Sequence, residues 1–144
     1  MTEDLPEATN RVRINARLAP DGLPEVAIDY RVSANTAAMV DFGIARASEF
    51  FEAAGAIRTV EARLPPYTGW HLLGTARMGS DPKRSVVDGH GRMHAAGNIT
   101  ICDGSVLPRS LGVNPLLTIT ALAERAMLHF GQEHGLAMAD AAQA

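Results

Sequence analysis

Hydrophobic and polar residues alternate in two early segments of the chain, residues 11–15 and 25–30. Alternation with a period of two is typical of a strand that buries one face. Between them, residues 20–24 contain the proline, aspartate and glycine of a turn. The pattern therefore predicts an antiparallel hairpin, in which two half-buried strands are joined by a longer loop.

A helical pattern follows the hairpin. From residue 34 to residue 54, apolar side chains recur every three or four positions, which predicts an α-helix with one buried face. Ser33 is a favoured N-cap, and Gly55 stands where a left-handed residue ends a helix. The predicted face consists of Val40, Ile44, Ala47, Phe51 and Ala54.

Less regular sequence separates this helix from the C-terminal part of the chain. Residues 57–62 predict a third strand, which Pro65 and Pro66 end because proline interrupts both helices and sheet ladders. We interpret these prolines as the best internal boundary. Residues 67–98 are rich in glycine and lack periodicity, which favours loop or extended coil.

Two further elements are predicted near the C-terminus. Residues 98–102 form an apolar run that is typical of a short buried strand. Asn114 as N-cap and Pro115 in the first turn predict the start of a last helix, which Gly131 or Gly135 would end. Its alanine-rich tail is expected to fray. The predicted buried face comprises Ile119, Leu122, Ala126 and Phe130.

Composition narrows the possible functions. A chain of 144 residues is long enough for a hydrophobic core. Its 13 basic and 16 acidic residues give a net charge of −3 without a basic cluster, so neither nucleic acid nor an anionic membrane is an expected partner. The single cysteine, Cys102, excludes an intrachain disulfide. Because we find neither a targeting signal nor a membrane segment, we expect a soluble, cytoplasmic chain.

Three polar sites carry the candidate chemistry. They are His71 in a glycine-rich loop, Asp103 with Gly104 after the predicted strand, and Asn114 with Pro115 at the helix start. Strand carboxyl ends and helix amino ends are where α/β folds bind ligands, and a helix N-terminus stabilises negative charge. Together these sites predict a redox site around a bound ring system. The chain contains no Gly-x-Gly-x-x-Gly turn for binding a nucleotide phosphate.

Each of these residues also has a structural interpretation. Taken alone, His71 is more often a hydrogen-bonded loop residue, Asn114 an N-cap and Asp103 a turn former. His90 and His94 have the spacing of a helical metal pair, but the glycines beside His90 argue against a helix. We therefore expect no metal site.

The order of the motifs favours the functional interpretation over the structural one. The motifs are HLLGTARMG (71–79), SVVD (85–88), NITICDGSVLP (98–108) and NPLLTI (114–119), preceded by weaker ones at 3–6, 10–12 and 30–33. In sequence, order and spacing they closely resemble the C-terminal region of the glucose–methanol–choline (GMC) oxidoreductases. The resemblance covers about the whole chain.

The resemblance implies oxidation of an alcohol by FAD, in which a base takes the hydroxyl proton and flavin N5 takes the carbinol hydride. His71 matches the active-site histidine of the family, and an imidazole suits proton removal near neutral pH. Asn114 matches a position that is His or Asn in the family. An amide cannot act as a base, so Asn114 should orient the substrate oxygen. The implied contacts with FAD are Asp103, Gly104, Asn114, Pro115 and Leu116.

The resemblance also implies an α+β fragment as the fold class. Residues 1–66 would be part of a substrate-binding domain, with a piece of an antiparallel sheet and a helix. Residues 67–144 would supply the C-terminal strand and helix of an FAD-binding α/β domain. The missing nucleotide-binding part would act in cis or in trans, and the substrate would be a small alcohol, sugar or polyol. Two alternatives stay open: a flavin-free interaction module and a non-functional truncated remnant of the family.

Overall fold

The described part of the chain forms two strands and two helices. The computed structural model describes residues 3–63 and 69–136, so the prolines at 65 and 66 and the predicted frayed tail lie outside the described residues. The elements, in chain order, are β1 (Arg11–Leu18), β2 (Pro24–Asp29), α1 (Ala34–Ala53), a short 3-10 turn (Gly104–Val106) and α2 (Leu116–Glu133). This content confirms the predicted α+β class.

The chain divides into two compact units. The first unit consists of Met1–Trp70 together with Arg109–Val113, and the second consists of His71–Pro108 together with Asn114–Ala144. The first unit contains the hairpin and α1, whereas the second contains the glycine-rich loops and α2. All of the residues predicted to form the site therefore belong to the second unit.

The predicted hairpin is confirmed. β1 and β2 pair antiparallel, with Val12 opposite Ile28 and Ile14 opposite Val26. The ladder extends to Leu18, beyond the predicted strand, after a shift of register that follows Ile14. Residues that stand directly opposite each other share a face of the sheet. These four apolar side chains consequently form one apolar face.

The predicted burial of this hairpin is wrong. The four side chains of its apolar face are between 52% and 74% exposed, and β1 is exposed along its whole length. The charged side chains on the opposite face form ion pairs with one another instead. Arg13 Nε donates to Asp29 Oδ2 at 2.6 Å, Arg11 joins the same carboxylate at 3.3 Å, and Arg17 lies 3.4 Å from Glu25. The hydrogen bond from Arg13 lowers the pKa of Asp29. Nothing within the described residues packs over the apolar side of this two-stranded sheet.

Both ends of α1 follow their predicted signals. The side-chain oxygen of Ser33 accepts a hydrogen bond from the backbone N–H of Thr36 at 3.1 Å, which is the geometry of an N-cap. At the other end Gly55 has φ +88°, and the N–H of Ala56 donates to the carbonyl of Phe51 at 2.9 Å. This is the Schellman arrangement, which satisfies carbonyls that the helix leaves free.

Two predictions for the first unit are not met. One is the burial of the predicted face of α1, and the other is the strand predicted after it. Thr36 and Val40 are buried, but the C-terminal part of the predicted face is open, with Phe51 53% exposed. Residues 57–62 are exposed and form no strand. A strand needs a neighbour with which to share backbone hydrogen bonds, and the sheet formed by the described residues contains only β1 and β2. The prediction of a third strand is therefore wrong for this chain.

The strand predicted at residues 98–102 is reduced to a single bridge between Thr100 and Arg92. Two backbone hydrogen bonds flank this bridge: Met93 N–H donates to the Ile99 carbonyl at 2.9 Å, and Ile101 N–H donates to the Gly91 carbonyl at 2.8 Å. The pairing stops there because its partner is a loop that turns at Gly91, where φ is +81°. The apolar run is therefore extended, but it lacks the continuous ladder of a strand.

The last helix is confirmed, but it begins later than predicted. α2 starts at Leu116 with Pro115 in the capping position, and no side chain caps it, so the prediction that Asn114 is the N-cap is wrong. Proline can stand at a helix entry because its missing N–H would have no acceptor there. The first hydrogen bond of the helix runs from Ile119 N–H to the Pro115 carbonyl at 2.9 Å. Gly135, with φ +62°, follows the helix end, whereas Gly131 is helical.

The predicted face of α2 is at least partly buried at all four of its positions, Ile119, Leu122, Ala126 and Phe130. In the described part of the chain, no helix combines the length and the apolarity needed to cross a bilayer.

The different starts of the two helices give a stability test. Ser33→Ala should lower the free energy of unfolding by about 1 kcal/mol, because it removes a side-chain cap. Asn114→Ala should change it by less than about 0.5 kcal/mol, because this amide caps nothing. Urea unfolding followed by circular dichroism measures both values. An equal loss for the two variants would mean that Asn114 caps α2 in solution.

A second test compares two glycines with the same backbone conformation. Gly91 and Gly22 both have φ +81°, but a Cβ at Gly91 would lie 2.5 Å from the carbonyl oxygen of Ile101, whereas a Cβ at Gly22 would meet nothing within 4 Å. Gly22→Ala should cost about 1 kcal/mol of backbone strain. Gly91→Ala should cost about 3 kcal/mol or more, because main chain must also move. Thermal unfolding measures both losses of stability. Equal losses for the two variants would contradict the close packing at Gly91.

Candidate functional site

Two segments of the second unit form one hydrogen-bonded piece. We call residues 71–79 the histidine loop and residues 103–107 the aspartate turn. The backbone N–H of Ala76 donates to the Ser105 carbonyl at 3.0 Å, and that of Met78 donates to the Val106 carbonyl at 2.8 Å. The side chain of Val106 is buried. The histidine loop is therefore hydrogen-bonded to the 3-10 turn (Gly104–Val106) of the aspartate turn.

Val87 is the centre on which this piece packs. It is fully buried, and it forms bridges with Met78 of the histidine loop and with Met93. The N–H of Val86 also donates to the carbonyl of Arg77 at 3.0 Å. The motif SVVD, which contains both valines, thus has a structural role in holding the histidine loop.

Gly104 is the point where three parts of the candidate site meet. A Cβ on this residue would lie 3.0 Å from Leu73 Cδ2 in the histidine loop and 3.0 Å from Ile119 Cδ1 in α2. It would also lie 3.5 Å from the carbonyl oxygen of Leu72, the neighbour of His71. The histidine loop, the aspartate turn and the first turns of α2 therefore approach as closely as the absence of a side chain at residue 104 permits. This packing explains the glycine without a ligand.

Asp103 gives the site a negative charge. Its Oδ1 accepts a hydrogen bond from the backbone N–H of Ser105 at 2.8 Å, and the side chain is exposed. Hydrogen bonds from the Ser105 hydroxyl and from its N–H lower the pKa of Asp103. The carboxylate therefore stays ionised at neutral pH with acceptor capacity to spare.

The N-terminus of α2 gives the site hydrogen-bond donors. Its first-turn N–H groups, on Leu116, Leu117 and Thr118, have no acceptor inside the helix, and no side chain caps them. The first turn also contains no acidic residue. The partial positive charge of this helix end is consequently available to an electron-rich ligand.

The side chains predicted to do the chemistry are accessible. His71, Asn114 and Leu116 are exposed, whereas Pro115 is buried. Within the described residues no hydrogen bond joins His71 to Asn114. Gly104 contacts the histidine loop at Leu72 and Leu73 and α2 at Ile119, and both polar side chains are exposed.

Apolar side chains surround the two polar residues in sequence and are equally open. Leu72, Leu116 and Leu117 are between 71% and 83% exposed. Exposed leucines at adjacent positions of one site indicate a surface that an apolar ligand or another part of a protein covers. Sequence reasoning missed Leu72, Leu73 and Leu117. The only available signal was their position close to His71 and Asn114 in the sequence, because a sequence does not show which residues an apolar side chain will contact.

The histidines outside this site have structural partners. His94 Nε2 lies 3.0 Å from Ser85 Oγ and 3.0 Å from the carbonyl oxygen of Gly79. The ring of His90 stacks on that of His129, with centroids 3.8 Å apart. Neither contact involves His71, which is exposed.

Comparison with known proteins agrees with the motifs. The profile of the GMC oxidoreductase family matches residues 6–123. The 6'''-hydroxyparomomycin C oxidase of Streptomyces lividus is 41% identical over 124 residues, covering 85% of this chain and 22% of that protein. The 2-methyl-1,2-propanediol dehydrogenase of Mycolicibacterium austroafricanum is 39% identical over 126 residues, covering 86% of this chain and 23% of that protein. The chain therefore spans less than a quarter of the length of these relatives.

A solved structure has the same fold. Pyridoxine 4-oxidase from Mesorbium loti superposes with a TM-score of 0.56 at 22% identity, covering 92% of this chain and 28% of that one. At this level of identity the likeness concerns the fold alone. Because the family profile covers most of the chain, however, this protein belongs to the GMC oxidoreductase family.

Proposed function

We propose that this chain supplies the active-site portion of an FAD-dependent oxidoreductase that acts on the CH–OH group of a small alcohol, sugar or polyol. The observation that carries the proposal is the close packing at Gly104, which holds the histidine loop, the aspartate turn and the start of α2 together. Three motifs that are far apart in the sequence thereby become one site. Family membership supplies the reaction class.

The donor and acceptor groups of this site suit FAD. The first-turn N–H groups of α2 are free to donate to the electron-rich edge of a flavin ring, and the helix end favours the negative charge of a reduced flavin. The carboxylate of Asp103 has acceptor capacity for the hydroxyls of a ribityl chain. When bound, FAD supplies the acceptor for the carbinol hydride. Gly104, Pro115 and Leu116 would contribute through their backbone.

Within this proposal the two polar residues have different roles. His71 removes the hydroxyl proton of the substrate with an unprotonated ring nitrogen, since an imidazole is a base near neutral pH. Asn114 cannot take a proton, so it donates from its amide to the substrate oxygen and orients it. Its amide is available because Pro115, not Asn114, stands at the N-cap.

The rest of the enzyme must supply the nucleotide-binding turn. This sequence lacks Gly-x-Gly-x-x-Gly, and the chain spans 22–23% of its relatives' lengths. We assign residues 67–144 to the FAD-binding domain and residues 1–66 to the substrate-binding domain. The partner of the chain is then the nucleotide-binding part, joined in cis or added in trans. The relatives' names, a 6'''-hydroxyparomomycin C oxidase and a 2-methyl-1,2-propanediol dehydrogenase, favour a hydroxylated substrate.

A flavin-free interaction module is the alternative that one observation favours, namely the open apolar face of the hairpin. The two functions predict different absorbance spectra for the purified complex. The chain purified with the nucleotide-binding part should show flavin absorbance and reduce a dye when an alcohol is added. A colourless complex would favour the interaction module instead.

The role of His71 is tested in that flavin-containing holoenzyme. His71→Ala should lower the rate of flavin reduction by substrate about 10²–10⁴-fold, because general-base catalysis typically contributes this much. Flavin content should be unchanged. Stopped-flow absorbance measures the rate and the spectrum measures the flavin.

His134→Ala is the matched control, because that imidazole bonds to the Phe130 carbonyl at the far end of α2. It should reduce flavin at the rate of the unmodified enzyme. Full activity of His71→Ala would remove His71 from the catalytic role.

A further inference from the structure

The hairpin of the first unit has two chemically different faces. Val12 stands opposite Ile28, and Ile14 stands opposite Val26. Successive residues of a strand point to opposite sides, so these four aliphatic side chains share one side of the sheet. We call this side the apolar face. The arginines of β1 and the acidic residues of β2 alternate with them and form the charged face.

The charged face makes its contacts within the hairpin. Asp29 Oδ2 accepts hydrogen bonds from Arg13 Nε at 2.6 Å and from Arg11 Nε at 3.3 Å. Arg13 Nη2 donates to the other oxygen of the same carboxylate at 3.1 Å. Arg17 lies 3.4 Å from Glu25 further along the strands. Burial of these charges in an interface would cost desolvation free energy, so we expect this face to stay in water.

The apolar face lacks cover of this kind. Each of its four side chains is more than half exposed, so the described part of the chain leaves most of their surface open. A two-stranded hairpin is marginally stable in water unless its apolar side packs against a further element. Covering the apolar face therefore stabilises the hairpin, whereas covering the charged face does not.

The size of the apolar face indicates a larger partner than a second copy that uses this face alone. Four aliphatic side chains present a patch of a few hundred Å² at most, whereas a stable interface buries about 800 Å² on each partner. The apolar face thus fits as one part of a wider contact. The chain spans 22% and 23% of the lengths of two relatives, so more than three quarters of each relative corresponds to such a larger body.

We propose that the apolar face of the hairpin is the surface on which the nucleotide-binding part docks, while the charged face stays in water in the assembled enzyme. The inference rests on the proposed function, which requires that part. The core of a protein interface is poor in charged residues. The partner surface that fits this face therefore carries aliphatic or aromatic side chains.

Two neighbouring substitutions test which face docks. Ile14 lies on the apolar face, and Asn15, the next residue of β1, points to the opposite side. Ile14→Lys should lower the melting temperature of the flavin-containing holoenzyme on the order of 5 °C, because it places a charge in an apolar contact. Asn15→Lys is the matched control and should leave that temperature unchanged. In the isolated full chain neither variant should shift it by more than about 2 °C, since both positions are exposed there.

Hydroxyl-radical footprinting of the unmodified protein measures the docking directly. Oxidation of Ile14 and Ile28, read by mass spectrometry, should be severalfold slower in the holoenzyme than in the isolated full chain. Oxidation of Arg11 and Arg13 on the charged face should be equally fast in both. This measurement needs no variant, so it decides the question even if Ile14→Lys fails to fold.

Three results would overturn the docking surface. The first is equal oxidation of Ile14 in the holoenzyme and in the isolated chain. The second is an unchanged melting temperature of the Ile14→Lys holoenzyme. The third is an isolated chain that sediments as a dimer with Ile14 already protected, because a second copy would then cover the face.

The same experiments separate this inference from the proposed function. A complex with the nucleotide-binding part that protects Ile14 but contains no flavin would keep the docking surface, although the proposed function fails. A flavin-containing, active holoenzyme in which Ile14 stays as reactive as in the isolated chain would keep the proposed function and overturn the docking surface.

Discussion

The close approach of three segments at Gly104 is the constraint on which the second unit depends. Leu73 and Ile119 each occupy the space that a side chain at residue 104 would need. A Cβ at residue 104 would lie 3.0 Å from both side chains and would require them to move. Leu73 belongs to the histidine loop and Ile119 belongs to α2. The histidine loop cannot shift alone, since its backbone is bonded to the aspartate turn. The absence of a side chain at residue 104 therefore allows the loop, the turn and the helix to pack closely together.

The sequence predicted the elements whose causes are local. Ser33 and Gly55 bound α1 as expected, because a cap needs only its own helix end. The hairpin formed because alternation and a turn lie within one short stretch. The strands predicted at 57–62 and 98–102 failed because a strand is completed by a neighbour, and a sequence pattern does not tell whether that neighbour is present. Burial of the hairpin failed for the same reason.

The sequence suggested residues for the candidate site, but it did not show the contacts that hold their segments. His71, Asp103 and Asn114 stand out as polar groups at the ends of apolar segments, and the order of the motifs gave them roles. The packing of Leu73 and Ile119 on Gly104 has no local signal, since each is an ordinary apolar residue. Long-range contacts decide how a site is held, and only the folded chain reveals them.

The surfaces left open by the chain are also those that the proposed function requires. The N-terminus of α2 has donors without acceptors, the neighbouring leucines are exposed, and the hairpin presents an apolar face. The two apolar surfaces lower the stability of the folded chain in water and raise it when they are covered. A ligand or partner that binds only the folded state adds RT ln(1 + [L]/Kd), which is about 2.7 kcal/mol at a hundred times Kd. Under the proposed function, binding of a flavin and of a nucleotide-binding part would therefore stabilise the folded chain as well as complete the site.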